Sequence, residues 1–494
     1  MLLNMARFGG LQAGEGGALR TGCYRLRPVA RQAPPQLRIS THPQMLSTAS
    51  VYEHKARTYL HFDSPISSSR AQCLVQDPEA VAKHSFYPFL GFTLSSPRVE
   101  RAEDGQVQAR DPKDRPIKIA AHADAAIYAH YSSILREPYQ AALSEKGLES
   151  AVTAFRKFPE RGRNNVWFAN EVFEFIESHR PCSAICMDIT KFFDRLNHDH
   201  LKAAWAGLLG EARLPADHFS LFKNLTKFTW VKRDEVYAQF GISRHNPRPR
   251  DLNRTRICSS EDFRSRVRGS GLLKFNPRYK QKQGIPQGSP MSALLSNIYM
   301  LTFDEAMTCL VSELGGLYRR YCDDLIIVVP PESEEAALNF ARSEIEKLKL
   351  EIHPDKTHTV RFPAGSGTLT ENGELLQYLG FTFDGTRKLI RNSSITRYYA
   401  KMRRAVRLTK STQRKHNRRE KNAGHRQTPL KKRKLYKRYS YLTHRRAQSS
   451  SGQKSPYSGN FLTYAYTASR RMGSPAIKVQ VQNHWKKLQR EIKG

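Results

Sequence analysis

The chain has 494 residues, with 81 Lys and Arg against 45 Asp and Glu and a formal net charge of +36. A composition of 39% hydrophobic and 26% charged residues excludes a wholly disordered chain, and the length suits about two to four domains. No apolar run approaches the roughly 20 residues that span a bilayer, and seven cysteines with no CxxC pair exclude a disulfide scaffold and suit a reducing cytoplasm. The charge points to a polyanion, most simply nucleic acid.

Residues 1–44 are Arg-bearing, rich in Gly, Pro and Gln, and without apolar periodicity. They suit a disordered leader of transit-peptide-like composition, or a mis-assigned start ahead of Met45. Residues 45–114 form an N-terminal extension with apolar stretches at 59–62 and 84–93, and a loop at 103–105 separates two strands, the second ending in RPIKIA (115–120). The pattern over 121–177 predicts two or three amphipathic helices broken near 146–147 and 159–164. SAICMDI (183–189) reads as a strand, and a helix runs from about Asp199 to Leu209. Residues 241–283 carry 12 basic and 3 acidic residues with little periodicity, the composition of a loop or small subdomain that orders on binding. A long helix over 291–313 precedes two strands over 317–330 that meet at Asp323 and Asp324. A helix over 332–349, a strand over 358–362 and a hairpin over 375–390 follow. Residues 387–494 hold 31 basic and 2 acidic residues. There 395–410 and 461–490 interleave aromatics with cations at helical spacing, which predicts a basic helical domain with a looser stretch near 411–430. The alternation of helices and short strands gives an α+β class.

An isolated AspAsp is usually a solvated turn. Here Leu-Tyr before it and an apolar run after it place two carboxylates at the bend between buried strands, which suggests a divalent-cation site. Asp188 ends another apolar strand and supplies a carboxylate from a separate element, as a pair of bridged cations requires. Hard oxygen donors together with substrate phosphates match magnesium. The stretch QGIPQGSP (283–290) has the Gly and Pro content of a backbone that lets a flat ligand approach closely.

The ordered series DITKFFD (188–194), QGIPQGSP (283–290), YCDD (321–324), LEIHPDKT (350–357) and LQYLGFTF (376–383) resembles the successive palm motifs of reverse transcriptases of the bacterial lineage shared by group II introns and retrons. The resemblance covers about 115–390 and implies a right-hand polymerase fold, with fingers over 115–182, a palm over 183–390 that includes the basic insert 241–283, and a basic helical thumb over 391–494. Within that pattern Asp188, Asp323 and Asp324 match the catalytic metal-binding triad, and the Ile189 carbonyl is a further ligand. Phe193 matches the steric gate that excludes a ribose 2′-OH. Gln287 and Gly288 match the loop beside the incoming nucleotide. Arg115 resembles the arginine that grips its triphosphate, and Lys356 the proton donor to pyrophosphate. Leu379 and Gly380 resemble the primer grip. Arg403, Arg404, Arg407, Lys431, Lys432, Arg433, Lys434, Lys437 and Arg438 then fall where the thumb meets duplex phosphates.

YLHFDSPIS (59–67), HSFYPFLGF (84–92) and LPADHFSLFKNLTKFTWV (214–231) look like the defence-associated, unknown-group members of this lineage. The NAxxH and VTG markers of retron enzymes, and a zinc-bearing endonuclease segment after the thumb, are not found. The resemblance therefore implies a cytoplasmic bacterial RNA-directed DNA polymerase using two Mg²⁺ ions, with Mn²⁺ as a substitute, and dNTPs. It would copy a bound non-coding RNA through an RNA–DNA heteroduplex in antiphage defence, away from membranes and with self-association left open. The alternatives are an intron-type maturase or mobility enzyme, a catalytically silent RNA-binding protein of polymerase fold, and synthesis primed by a tyrosine such as Tyr24, Tyr52 or Tyr457.

Overall fold

The computed structural model describes residues 53–101, 107–158, 163–249, 252–365, 367, 369–441 and 459–494. The leader 1–44, the loop at 103–105, positions 159–162 of the expected helix break, and Tyr24, Tyr52 and Tyr457 lie outside the described residues. The strands among those described are β1 (Phe89–Arg101), β2 (Val107–Ile119), β3 (Cys182–Asp188), β4 (Thr229–Lys232), β5 (Lys274–Phe275), β6 (Leu317–Tyr321), β7 (Asp324–Val329), β8 (His358–Phe362), β9 (Leu376–Tyr378), β10 (Phe381–Phe383) and β11 (Lys388–Ile390). They form three sheets of order β2-β1-β4-β5, β6-β7-β3-β8 and β11-β10-β9. With helices before, between and after them, the chain is α+β.

The second sheet is antiparallel throughout, with β3 and β7 at its centre. Both faces of that centre are covered, so CSAICMD and DLIIVV read as near-continuous apolar runs rather than alternating ones. Ile185, Met187, Leu325, Ile327 and Val329 pack into the core that holds helices Ser292–Tyr299, Leu301–Glu313 and Glu334–Lys347. The alternate residues Ala184, Ile326 and Val328 pack into the other core, with helix Asn165–Ser178, the third sheet and the C-terminal helices. Both cores thus end on β3 and β7, the strands that carry Asp188 and Asp324 at one end. The helix expected over 291–313 is two helices that part at Met300.

The described residues of the basic insert pack against the rest of the chain. Ile242, Ile257 and Val267 join Leu60 and Phe62 of the extension and Leu90 and Val231 of the first sheet in one small core. Residue 115 lies inside β2, so the β1–β2 hairpin bridges the division placed between 114 and 115. The looser stretch expected near 411–430 is also different: one helix runs from Asn392 to Asn422, and only then does the chain turn. The reason is polar. Gln413 Nε2 donates to Thr428 Oγ1 at 2.7 Å, and Asn417 Nδ2 donates to Thr428 O at 3.0 Å, so the returning chain pins a segment with no apolar face.

The phrase YLHFDS acquires a structural role. Asp63 accepts from the backbone N–H groups of His122 and Ala123, both at 2.9 Å, and so caps helix His122–Ile134 from outside it. Beside it His61 is wholly buried, near Ile119 O at 3.3 Å and accepting from Phe62 N at 2.9 Å. Burial pushes the His61 pKa down to about 3, with His122 adding to the shift and Ile119 opposing it. The unfolded chain takes up this proton near pH 6.5 and the folded chain only near 3, so stability falls as pH drops between those values, by about 1.4 kcal/mol per unit. The His61→Gln chain is accordingly expected to lose about 2 kcal/mol less than the parent between pH 7 and 5, measured as denaturant midpoints; equal losses would contradict this assignment.

Candidate active site

β3 and β7 pair with Asp188 directly opposite Asp324, and the β6–β7 hairpin turns through Cys322 and Asp323. Cys322 has φ of +63°, a left-handed conformation held by its surroundings rather than by a glycine. Asp323 O accepts from Ile189 N at 3.2 Å, and Asp188 O accepts from His353 N at 2.8 Å, so the turn, the end of β3 and the LEIHPDKT segment are stitched together. Lys356 Nζ reaches Asp188 Oδ1 at 2.7 Å. Asp188, Asp324, Lys356, Leu379, Gly380 and Arg391 line one cleft of about 750 Å³.

Asp324 is exposed at the rim of this cleft, yet the surrounding protein desolvates it, and Asp323 and Asp188 repel its charge. Together these raise its pKa to about 6, against the opposing pull of Lys113 and Lys356. Like charges held close in this way are what a cation relieves. Among the described residues no three or more His, Cys, Asp or Glu side chains form a ready cation cage. Asp188 is instead turned to Lys356.

The 283–290 loop is strapped to the same end of the sheet. Ile285 N donates to Phe193 O and Gly284 N to Leu196 O, both at 2.9 Å, which ties the loop to the short helix Phe192–Arg195 after β3. Phe193 is half-buried there, its ring centroid 5.5 Å from that of Phe192. On its other side the loop lies along the free edge of β2, where Lys118 N donates to Gln287 O at 2.8 Å. Gly288 has φ of +113°, and a Cβ there would stand 2.8 Å from Lys118 O and 3.0 Å from Ile117 Cγ2. No other residue fits that approach without moving the strand.

Arg115 is exposed on β2. Strand alternation puts it on one face with Ile117, against Gly288, and with Lys113, whose charge acts on Asp324. Of the expected residues, Asp188, Ile189, Asp323, Asp324 and Lys356 are therefore brought together, and Phe193, Gln287, Gly288 and Arg115 flank them. All nine cations named in the C-terminal region are exposed. Arg403, Arg404 and Arg407 lie on the long helix that buries Tyr398, Tyr399, Met402 and Val406. The other six surround the buried Leu435. A polyanion held by this surface is expected to bind less tightly after charge reversal at Lys431, Lys434, Lys437 and Arg438, with a salt dependence flatter by about 0.7–0.9 logarithmic units for each phosphate no longer neutralised. Titrations across salt concentration check this.

Several residues that shape the site escape sequence reading. Arg320 is fully buried in β6. Its Nε donates to Asp304 Oδ1 at 2.7 Å, and its Nη2 to Asp304 Oδ2 at 2.5 Å. Its Nη1 donates to Asn297 Oδ1 at 3.0 Å and to Cys322 O at 3.3 Å, inside the turn that carries Asp323. Burial alone disfavours that guanidinium, and the Asp304 carboxylate outweighs it. Asn165 Nδ2 donates to Leu379 O and to Tyr464 Oη, both at 2.9 Å, and so joins the 376–383 turn to the C-terminal helices. The signal for Arg320 was a charge inside an apolar strand; Asn165 offered none.

Residues 226–383, about a third of the chain, match the family described as "Reverse transcriptase (RNA-dependent DNA polymerase)". That span includes Asp323, Asp324, Gln287, Gly288 and Lys356 but begins after Asp188. Retron Mx162 reverse transcriptase of Myxococcus xanthus is 28% identical over 116 residues, which are 21% of this chain and 24% of that protein. The chain thus matches about a quarter of the length of this curated relative. Among solved structures, apo telomerase of Candida tropicalis truncated from its C-terminal domain aligns at TM-score 0.33 and 14% identity, covering 66% of this chain and 61% of that one. Telomerase of Candida albicans with a fragment of telomeric RNA aligns at TM-score 0.37 and 13% identity, covering 86% and 67%. Superpositions at this level decide neither fold nor function. Among the described residues no helix is long and apolar enough to cross a membrane.

Proposed function

We propose that the chain is an RNA-directed DNA polymerase of the bacterial reverse transcriptase type, extending a DNA strand from dNTPs on a bound non-coding RNA. One observation carries the reading: Asp188 and Asp324 face each other across paired strands, Asp323 sits in the adjoining turn, and the 283–290 loop is bonded to Phe193 beside them. The family match over 226–383 supports it from the sequence side.

The donor set fits magnesium, being all carboxylate with Asp324 destabilised by its two neighbours. Asp188, Asp323 and Asp324 would hold two such ions, with the Ile189 carbonyl as a further donor. When bound they would lower the pKa of a primer 3′-hydroxyl and stabilise the leaving pyrophosphate. The chain's own groups do the rest. Arg115 and Lys113 meet the triphosphate from β2. Gln287 and Gly288 form the wall beside the base, where the missing side chain of Gly288 keeps the backbone close to β2. Lys356, beside Asp188, hands a proton to the pyrophosphate. Leu379 and Gly380 fix the primer end, their turn anchored through Asn165 and through Arg391 N, which donates to Gly380 O at 3.0 Å.

Phe193 forms the floor beneath the sugar. Phe193→Ala is expected to raise ribonucleotide incorporation relative to deoxynucleotide by about tenfold or more, as removal of a steric wall does. An unchanged ratio in single-nucleotide extension would place the gate elsewhere. The defence role rests on the resemblance of 59–67, 84–92 and 214–231 to defence-associated members. Sequencing the RNA that co-purifies with the chain, and the DNA made in infected and uninfected cells, tests it: one recurrent structured RNA with matching DNA is expected, and bulk cellular RNA would argue against it.

A further inference from the structure

A second cavity, of about 440 Å³, opens on the first sheet, and none of the residues assigned to the active site lines it. Trp230 of β4 lies against the backbone of β1 there: a Cβ on Gly91 would stand 2.4 Å from Trp230 Cε3, so glycine is what lets the indole settle on the strand. Two ammonium groups flank the ring, Lys118 Nζ and Lys274 Nζ, each 5.4 Å from its centroid. The Arg233 guanidinium lies 4.6 Å from the Phe92 ring centroid, and Lys232 and Arg244 complete the basic wall. Among the described residues the nearby carboxylates answer only part of this charge: Glu235 pairs with Lys232 at 2.6 Å, Asp234 is shared between Arg233 at 2.8 Å and Arg244 at 3.2 Å, and the Asp194 charge acts on Lys118.

A ring framed by cations recognises an unpaired nucleotide, whose base stacks and whose phosphate is neutralised. A base-paired duplex hides its base faces and is better matched by an open basic surface, such as the one presented by 403–438. We propose that this cavity holds an unpaired nucleotide of the RNA. The naming of that nucleic acid as RNA rests on the polymerase reading. Two of the cations, Arg244 and Lys274, come from the insert 241–283, so the insert would complete a binding site. Lys118 also joins this cavity to the active site, because its own N–H holds Gln287. The nucleotide belongs either to the templating strand ahead of the duplex or to another part of the bound RNA; the chemistry recognised is the same.

Binding to the full chain tests the proposal without any catalysis, so failure here is distinguishable from failure of the polymerase reading. The probes are a fluorescein-labelled single-stranded RNA of about 12 nucleotides and a blunt RNA–DNA duplex. The Arg244→Glu, Lys274→Glu double variant is expected to lose about tenfold or more in single-strand affinity and to hold duplex affinity within about twofold. Trp230→Phe keeps a ring and should keep binding, while the part of the tryptophan quenching caused by single-stranded RNA disappears. Loss of affinity for both probes alike, unchanged single-strand affinity, or unchanged quenching in Trp230→Phe overturns the proposal. A duplex with a template overhang that binds tighter than the blunt duplex, only in the parent chain, assigns the cavity to the template. Binding of a free single strand alongside an overhang-bearing duplex assigns it to another region of the RNA.

Discussion

Replacing Asp304 with alanine is expected to cost the fold about 3–5 kcal/mol, read as a fall in denaturant midpoint. The Asp304 and Arg320 side chains are both fully buried and bonded through two nitrogen–oxygen pairs, so the substitution strands a guanidinium without water or counter-charge. Tyr318 Oη, which donates to Asp304 Oδ1 at 2.8 Å, loses its partner as well. The cost is that of an uncompensated charge, and a paired replacement discriminates this from lost packing. Asp304→Leu with Arg320→Met removes both charges and is expected to recover a large part of the stability. It would still leave Cys322 O and Asn297 Oδ1 without their donor, so the Asp323 turn loses a tether. A double variant no more stable than Asp304→Ala would show that packing, not charge, sets the cost.

The Asp323→Ala, Asp324→Ala chain is expected to remain folded and to lose nucleotidyl transfer. Cation stabilisation of the transferring group is worth several kcal/mol, and about 4 kcal/mol corresponds to roughly a thousandfold in rate. Its fold is not at risk on electrostatic grounds, because Asp324 is repelled by both Asp323 and Asp188. A melting temperature that does not fall, together with a lost rate, therefore assigns the loss to chemistry.

How far the sequence carried these conclusions depends on what kind of signal each residue left. β3 and β7 were legible because both their faces are buried, which turns a strand into an unbroken apolar run. The carboxylates stood out because they end such runs, where a polar pair needs a reason. The ordered motif series singles out Phe193, Gln287 and Lys356, and the structure sets them around one end of one sheet. Three things were not legible. Arg320 and Asp304 lie 16 residues apart, and no periodicity links a buried charge to a partner on another element. Gln413 and Asn417 prolong the long helix through hydrogen bonds to Thr428, which a segment without apolar spacing does not advertise. The insert 241–283 looked structureless because its buried apolar residues, Ile242, Ile257 and Val267, find their partners in the extension and the first sheet.

The reaction proposed for these carboxylates is RNA-templated DNA synthesis. The most direct measurement is extension of a DNA primer on an RNA template by the purified chain with Mg²⁺ and dNTPs, run beside the folded Asp323→Ala, Asp324→Ala chain. Stepwise extension by the parent, abolished by chelation of the metal and absent from the double variant, is the predicted result. Equal extension by both chains, or none by a folded parent that binds the duplex and Mg²⁺, would contradict it.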